Sequence, residues 1–442
     1  MACVRDTHFR DLPIDADSAA VLRERGLVYE LIDTADQARF DAWLRADARG
    51  FHEGTADPEQ LRVARENLGY RRTTAVTDPS APDPHDPVGT VSSWSASLTT
   101  SPGRLVDTWA ISSVTVRPTH TGGGIARAML EGELRTAASA GYPLAALTVS
   151  EATLYARYGF APAAMTADWR IATRRVLWTG PIPDGRVDLI TAAQWRDEIG
   201  ELHDRVRRNE PGHIDAWGLR WDQLAGLTGE DRERSRRLQA ARYVDQNGMT
   251  RGLMLFRVAG NDDDFADSAL TIDNLTTETH DAYAALWRLA VTMPLVGTVA
   301  APMRRLDEPV RWMIADWRAA QLSPRDNLWL RILDVPRALQ SRRFQGPGRV
   351  RLDVSDALGH AAGSYLLVID SEGNAAVETG GAISDQVTRL TLGIAELSAI
   401  LLGGVPVATL VAAGRVTATQ TDAAAASALF TPATEPWLPF WF

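Results

Sequence analysis

Three consecutive glycines, Gly122, Gly123 and Gly124, stand just ahead of a segment with helical periodicity. Glycines at a helix start let the backbone come close to an anion, and the free N–H groups there can grip a pyrophosphate. The same run also serves as a plain tight connection. Further on stands Tyr155, a phenol that is protonated at neutral pH and can give its proton to a departing anion. A tyrosine at such a position can equally be a core residue on a helix face. The chain ends WLPFWF, with Phe442 last. Chain ends are ordinarily polar and frayed. An end this aromatic should be buried, and a buried α-carboxylate calls for a partner such as a cationic amine. The bland reading is a tail that merely docks.

The elements that must hold these groups can be read in order. Trp109 to Val116 has strand character, with Val114 and Val116 on one face and Thr115 on the other. Pro118 ends it. Thr121 to Ile125 (TGGGI) turns into a helix from about Ala126 to Ala140, striped by Met129, Leu130 and Leu134 and stopped by Gly141. A parallel strand, Pro143 to Val149, follows, and Ser150-Glu151 opens a short helix carrying Tyr155. The two strands must splay for a cofactor arm to pass between them.

The long pattern VxVxPxHxxxGIxRAM…GYPLAALxxSExxxYxRYGF resembles the GCN5-related N-acetyltransferases, and in particular the enhanced intracellular survival (Eis) aminoglycoside acetyltransferases. The resemblance implies acetyl-CoA as cosubstrate and no metal. The backbone of Val114, Thr115 and Val116 would align the pantetheine arm, and Gly122, Gly123, Gly124, Ile125, Ala126 and Arg127 would wrap the pyrophosphate. Ser150 and Glu151 are expected to add cofactor contacts. The Val116 N–H is the natural oxyanion donor, a role worth roughly 3 kcal/mol. Tyr155 matches the family's general acid, and the terminal carboxylate of Phe442 its general base. The acceptor would be a primary amine of an aminoglycoside or polyamine-like compound. Alternatives are lysine acetylation of a protein or peptide, and a lipid-binding or regulatory protein with a vestigial acetyltransferase fold. The resemblance also implies a homohexamer, a dimer of trimers.

Two features depart from the family pattern. The turn is Thr121-Gly122-Gly123 where better-known members are arginine-rich, and Trp441 stands where an acidic residue can precede the terminal phenylalanine. Trp437, Phe440 and Trp441 suggest an aromatic pocket that would attract amines by cation–π contact. Glu53, in GFHEG, lies near the family's acidic pocket position, so Glu53 and Trp441 are the substrate candidates.

The chain has 442 residues, 45% hydrophobic and 23% charged, which describes an ordinary globular protein of two to four domains. No apolar stretch reaches the roughly 18–20 residues of a membrane span. The N-terminus lacks a signal-peptide core, so a cytoplasmic location is expected. Cys3 is the only cysteine, which excludes an internal disulfide or a multi-cysteine metal site. A net charge of −10 disfavours nucleic acid as a partner and favours cationic small molecules. All basic residues are arginine; a GC-rich genome explains that most simply.

The expected class is α/β (α+β): tandem GCN5-related acetyltransferase folds with mixed sheets flanked by helices, then a sterol-carrier-protein-like α/β domain. Residues 1–27 read as an irregular polar extension and 28–178 as the acetyl-CoA-binding domain. Residues 179–327 read as a second acetyltransferase-like domain without a TGGGI-type turn, which should not hold CoA. Within it, the Arg232 to Arg237 run (RERSRR) reads as a solvated loop or helix more than a phosphate site. Residues 328–442, opening with the strand LWLRILDV, read as the last domain, which either encloses a lipid tunnel or delivers the chain's end to the active site.

Overall fold

The computed structural model describes residues 7–229, 232–380 and 387–442; Cys3 lies outside them. Strand segments from the first three quarters of the chain build one continuous twelve-stranded sheet. In chain order these are β1 (Val28–Leu31), β2 (Arg72–Thr77), β3 (Gly89–Ser101), β4 (Arg104–Val116), β5 (Leu144–Thr148) and β6 (Ala161–Ala172). Then come β7 (Arg186–Ile190), β8 (Leu238–Val244), β9 (Thr250–Ala259), β10 (Ser268–Thr277), β11 (Val296–Arg304) and β12 (Ala320–Ile332). Their spatial order is β1-β2-β3-β4-β5-β12-β6-β11-β10-β9-β8-β7.

The order is a repeat read from both edges inward. β1 to β4 are antiparallel neighbours and β5 joins β4 in parallel. β7 to β10 are likewise antiparallel and β11 joins β10 in parallel. The central strands are exchanged. β12, which follows the second repeat in sequence, pairs with β5 of the first, while β6 pairs with β11 of the second. The two exchanged strands pair with each other along the seam. Central strands are covered on both faces and read as unbroken apolar runs. Leu144, Ala145 and Ala146 of β5, like Leu328, Leu330 and Ile332 of β12, are wholly inaccessible.

Helices cover both faces. Helix α1 (Ala16–Arg23) packs by β1, and α2 (Gln37–Gly50) on β3 and β4 with α3 (Pro58–Leu68) beside it, the last started by a capping box of Asp57 and Gln60. Helix α4 (Ile125–Ser139) crosses from β4 to β5, and the single turn α5 (Ala152–Tyr155) follows β5. The second repeat carries α6 (Ala192–Arg207), α7 (Gly218–Leu224), α8 (Arg232–Arg237) and the crossover α9 (His280–Thr292). The crossover α4 is lashed to the sheet by a buried ion pair, Arg72 to Glu133 at 2.5 Å. Ser93 Oγ and Trp109 Nε1 also donate to Glu133, so the carboxylate is fully satisfied.

The last quarter forms a second sheet, β13 (Gly348–Ser355), β14 (Gly363–Ile369), β15 (Ala375–Thr379), β16 (Thr388–Gly393) and β17 (Val416–Thr417), in the order β15-β14-β13-β16-β17. Helices α10 (Val335–Gln340), α11 (Ile394–Ile400), α12 (Val407–Ala412) and α13 (Gln420–Phe430) surround it. Its core is continuous with that of the first repeat. Arg331 of β12 joins them: its Nη2 reaches both carboxylate oxygens of Asp356 at 2.7 Å, and both side chains are inaccessible.

Two expectations need correction. Residues 1–27 are not an irregular extension throughout: α1 is capped by Asp15 and buries Ala19 and Leu22 against α4. The strand LWLRILDV does not open the last domain, because Leu328–Ile332 completes the large sheet beside β5. Its apolar pattern suits either sheet, and only long-range pairing decides. The RERSRR segment, expected as a solvated loop or helix, is the short helix α8, with Arg234 and Arg237 facing Asp273 and Glu233.

Candidate active site

β4 and β5 pair only through Thr108–Ala110 and Leu144–Ala146. Beyond Ala110 the strands part, leaving the β5-side edge of β4 without a strand neighbour. A bulge forms there: Thr90 faces Thr115 and Ser92 faces Ser112, so two residues of β4 oppose Val91, with Ser113 at φ 57°. Arg117 N–H donates to Val88 O on the β3 side. By strand alternation the preceding N–H, that of Val116, turns to the open edge. The Thr115 side chain points away from the cleft, its hydroxyl 2.7 Å from that of Thr90. It can therefore offer a ligand only its backbone.

The glycine turn has the form that an anion seat requires. Gly122 and Gly124 take left-handed φ values of 79° and 76°, and Gly124 caps α4 without a side-chain partner. The first amide bonded inside the helix is that of Ala128, to Gly124 O, so the N–H groups of Ile125, Ala126 and Arg127 have no intrahelical partner. In front of them opens a cleft of about 690 Å³ lined by Val116, Gly122, Gly124, Ile125, Ala126 and Arg127. Arg25, Arg157 and Tyr158 line it too, and sequence reasoning missed all three as cleft residues. The signal for Arg157 and Tyr158 was their place beside Tyr155; Arg25 had none. An acyl-CoA fits this donor set, with backbone amides, no Cβ at the glycines and four lining arginines, Arg25, Arg127, Arg135 and Arg157, against the carboxylates of Asp17 and Glu131. Val114, Gly123, Ser150 and Glu151 are not among the lining residues; Ser150 and Glu151 are exposed at the start of α5.

In the second repeat the matching position, between β10 and α9, is differently built. The Thr279 hydroxyl accepts from Ala282 N–H and caps the helix, occupying a donor that an anion would need. Among the described residues no three or more His, Cys, Asp or Glu gather as a metal site, and no helix is long and apolar enough to cross a membrane.

Tyr155 is 5% exposed, its ring edge-on to Phe160 at 6.3 Å. Burial, with the charge of Glu151 and the neighbouring Tyr158 adding, pushes its phenol up to about 12. The group is therefore a held proton across the working range. It borders the same core that Phe442 packs against.

The terminal Phe442 sits on β5. Thr148 Oγ donates to a terminal oxygen of Phe442 at 2.7 Å and accepts from its N–H at 3.3 Å. The ring stands edge-on to Trp94 of β3 at 5.3 Å. The tail reaches this place over several anchors. Trp437 N–H donates to Pro211 O and its indole to Glu210, while Asn327 Nδ2 donates to Leu438 O. Phe440 is buried beneath Arg220 at 4.2 Å. Trp437 and Phe440 are thus tail anchors with arginines over their faces, and Trp437 also lines a cavity of about 430 Å³ with Glu210 and Glu278. Trp441 is 39% exposed, with Arg325 5.7 Å from its ring.

Two further groups lie on the Phe442 side of the sheet. Arg71 stacks 4.1 Å over Trp94 and is buried. Asp47 of α2 accepts from Ser113 Oγ at the bulge, at 3.2 Å, while its other oxygen is buried without a partner. Burial pushes its carboxyl up to about 7, against the pull of Ser113 and Arg71. Glu53, the expected acidic candidate, is exposed just beyond α2, close enough for its charge to add to the rise at Asp47.

Comparison with known proteins places this geometry. Residues 32–163 and 212–335 each match an acetyltransferase (GNAT) domain family, and residues 335–439 match the sterol carrier protein domain. An uncharacterized N-acetyltransferase of Streptomyces avermitilis is 33% identical over 80% of this chain and 86% of its own. The N-acetyltransferase Eis of Mycobacterium tuberculosis is 30% identical over 72% of this chain and 76% of its own. The crystal structure of Eis1 from Mycobacterium abscessus superposes with a TM-score of 0.79 at 25% identity, covering 94% of this chain and all of that one, 100%. A GCN5-related N-acetyltransferase of Anabaena variabilis shares the fold with a TM-score of 0.78 at 18% identity, covering 94% of this chain and 100% of its own.

Proposed function

The chain belongs to the Eis-like N-acetyltransferases, with two GNAT domains and a C-terminal sterol-carrier domain, and from that membership we propose its acceptor and its catalytic groups. It is an N-acetyltransferase, and its GNAT fold implies binding of acetyl-CoA. The acceptor is a primary amine of an aminoglycoside or a similar polyamine compound. The Phe442 carboxylate takes the proton from the ammonium form, and Tyr155 gives one to the departing thiolate. The Val116 N–H is the donor available to the thioester carbonyl oxygen, where one such bond is worth roughly 3 kcal/mol.

The observation that carries this reading is the seat of Phe442: a terminal carboxylate held by Thr148 on the strand that borders the splayed gap. The net charge of −10 supports the same class of acceptor. Assembly as a hexamer belongs to the proposal as well; the exposed pair Trp312 and Trp317, ring centroids 5.0 Å apart and tilted to one another, supports association.

The test is CoA release from acetyl-CoA with aminoglycosides, polyamines, amino acids and lysine peptides. Release with the first two classes is expected. Release with lysine peptides alone would replace the acceptor, and no release with any would overturn the reading.

A further inference from the structure

The glycine turn carries no basic residue of its own from Thr121 to Gly124, yet its ligand would bring several negative charges. We infer that helix α1 forms one wall of the acyl-CoA seat and that Arg25, just past its end, is the cation that pairs with the pyrophosphate above the turn. This rests on the acetyl-CoA reading and adds to it a residue outside the GNAT match, which begins at residue 32.

Arg25 lies over the turn itself. Its Nη1 stands 2.5 Å from where a Cβ on Gly124 would be, so the guanidinium occupies the space that the missing side chain leaves. Arg25 lines the cleft together with Gly122, Gly124 and Ala126, where the unpaired amides of α4 begin. Among the described residues no carboxylate pairs with it: the Arg135 and Asp15 pair, at 2.7 Å, sits at the other end of α1, Asp17 lines the same cleft without an ion pair to Arg25, and Glu131 faces Arg127 and Arg135. A cation over unsatisfied N–H groups, with no counter-ion among the described residues, is a seat for an anion.

The wall is fixed in place. Ser18 Oγ donates to Ala128 O at 2.6 Å, and Leu22 packs with Ile125 and Met129. The turn carrying Arg25 closes by its N–H donating to Leu22 O, and Gly26 supplies the left-handed residue, at φ 76°, that turns the chain into β1. Arg25 is thereby presented by a docked element, as a loop arginine would not be, which lowers the entropy of pairing.

The experiment is calorimetric titration of the full chain, wild type, Arg25→Ala and Arg25→Lys, with CoA and with 3′-dephospho-CoA at low salt. Hydrogen exchange of residues 16–27 is followed with and without CoA. The expected result is a loss of about tenfold for Arg25→Ala toward both ligands, as for removal of one charge-assisted bond, with partial rescue by lysine. Slower exchange in α1 on CoA binding is expected too. Equal binding by wild type and Arg25→Ala, with both folded by thermal melt, would overturn the inference. So would a loss seen with CoA and absent with 3′-dephospho-CoA, which would move Arg25 to the ribose phosphate. If wild-type protein bound neither ligand, the acetyl-CoA reading would fall and this one with it.

Discussion

One hydroxyl, that of Thr148, holds both the N–H and a terminal oxygen of Phe442, 294 residues further along the chain. Thr148 is the last residue of β5, where that strand has already parted from β4. The pair fixes where the negative end of the chain lies. Thr148→Val keeps the side chain's shape and removes both bonds, each worth about 1 kcal/mol. Turnover should fall about tenfold or more with CoA affinity unchanged. Two residues added after Phe442 should abolish turnover and leave CoA binding intact. Unchanged turnover in the extended chain would remove the terminal carboxylate from the mechanism.

Tyr155→Phe keeps the ring that packs on Phe160 and removes only the phenol. A missing general acid costs about 10²- to 10⁴-fold in rate. We expect a loss in that range in kcat with a melting temperature close to wild type. Since the phenol is raised to about 12, Tyr155 should add no alkaline fall to the rate profile below that pH. A variant within threefold of wild type, or a wild-type alkaline limb near 9 that Tyr155→Phe abolishes, would contradict the assignment.

Asp47 gives a prediction about stability. Its carboxyl lies at about 7 in the folded chain against roughly 4 unfolded, so the fold favours the neutral acid. Below 4 both states are protonated and there is no penalty. As pH rises from 4 to 7 the unfolded chain ionises first, and the native state loses relative stability. Asp47→Asn should therefore raise the melting temperature at pH 8 by several degrees and much less at pH 5. Melts at the two pH values decide it; an equal effect at both would show that burial is not the cause.

The buried pair between β12 and the C-terminal domain should be costly to break from one side. Arg331→Met leaves the buried Asp356 carboxylate without its cation, held only by the Leu358 and Ala361 N–H groups, and also frees Tyr158 O, which Arg331 Nε holds at 2.7 Å. A loss of about 3–5 kcal/mol is expected by denaturant unfolding. The double variant Arg331→Met, Asp356→Leu should recover a good part of it. Gly159 should tolerate no side chain, because a Cβ there would meet Arg331 Nε at 2.6 Å, and the backbone is left-handed at φ 85°.

Much of this site was legible in local sequence, because local chemistry builds it. The turn, α4 and β5 follow one another within a single crossover, and their periodicity and glycines have few other solutions. What depends on distant pairing was not legible. Leu328–Ile332 reads as an apolar strand wherever it is placed, and nothing in its own residues says that β5 is its neighbour. Helix α1 has only eight residues, several of them polar, so its docking on α4 leaves a weak periodic signal. The aromatic tail suggested a pocket because aromatic side chains suit pockets and cores alike; Trp437 and Phe440 prove to be core. Asp47 and Arg71 draw their interest entirely from burial, which composition cannot report.

The exchange of central strands also bears on how the chain comes to life. A chain emerging from its N-terminus exposes the glycine turn and Tyr155 early, with β5 still lacking the neighbour on its far side until β12 has been made. The first repeat cannot close its sheet alone, so its folding must wait on the second. On the proposed mechanism the base, at Phe442, lies beyond both repeats and the second sheet. Loss of even that one residue would leave a protein able to hold its acyl donor and unable to use it.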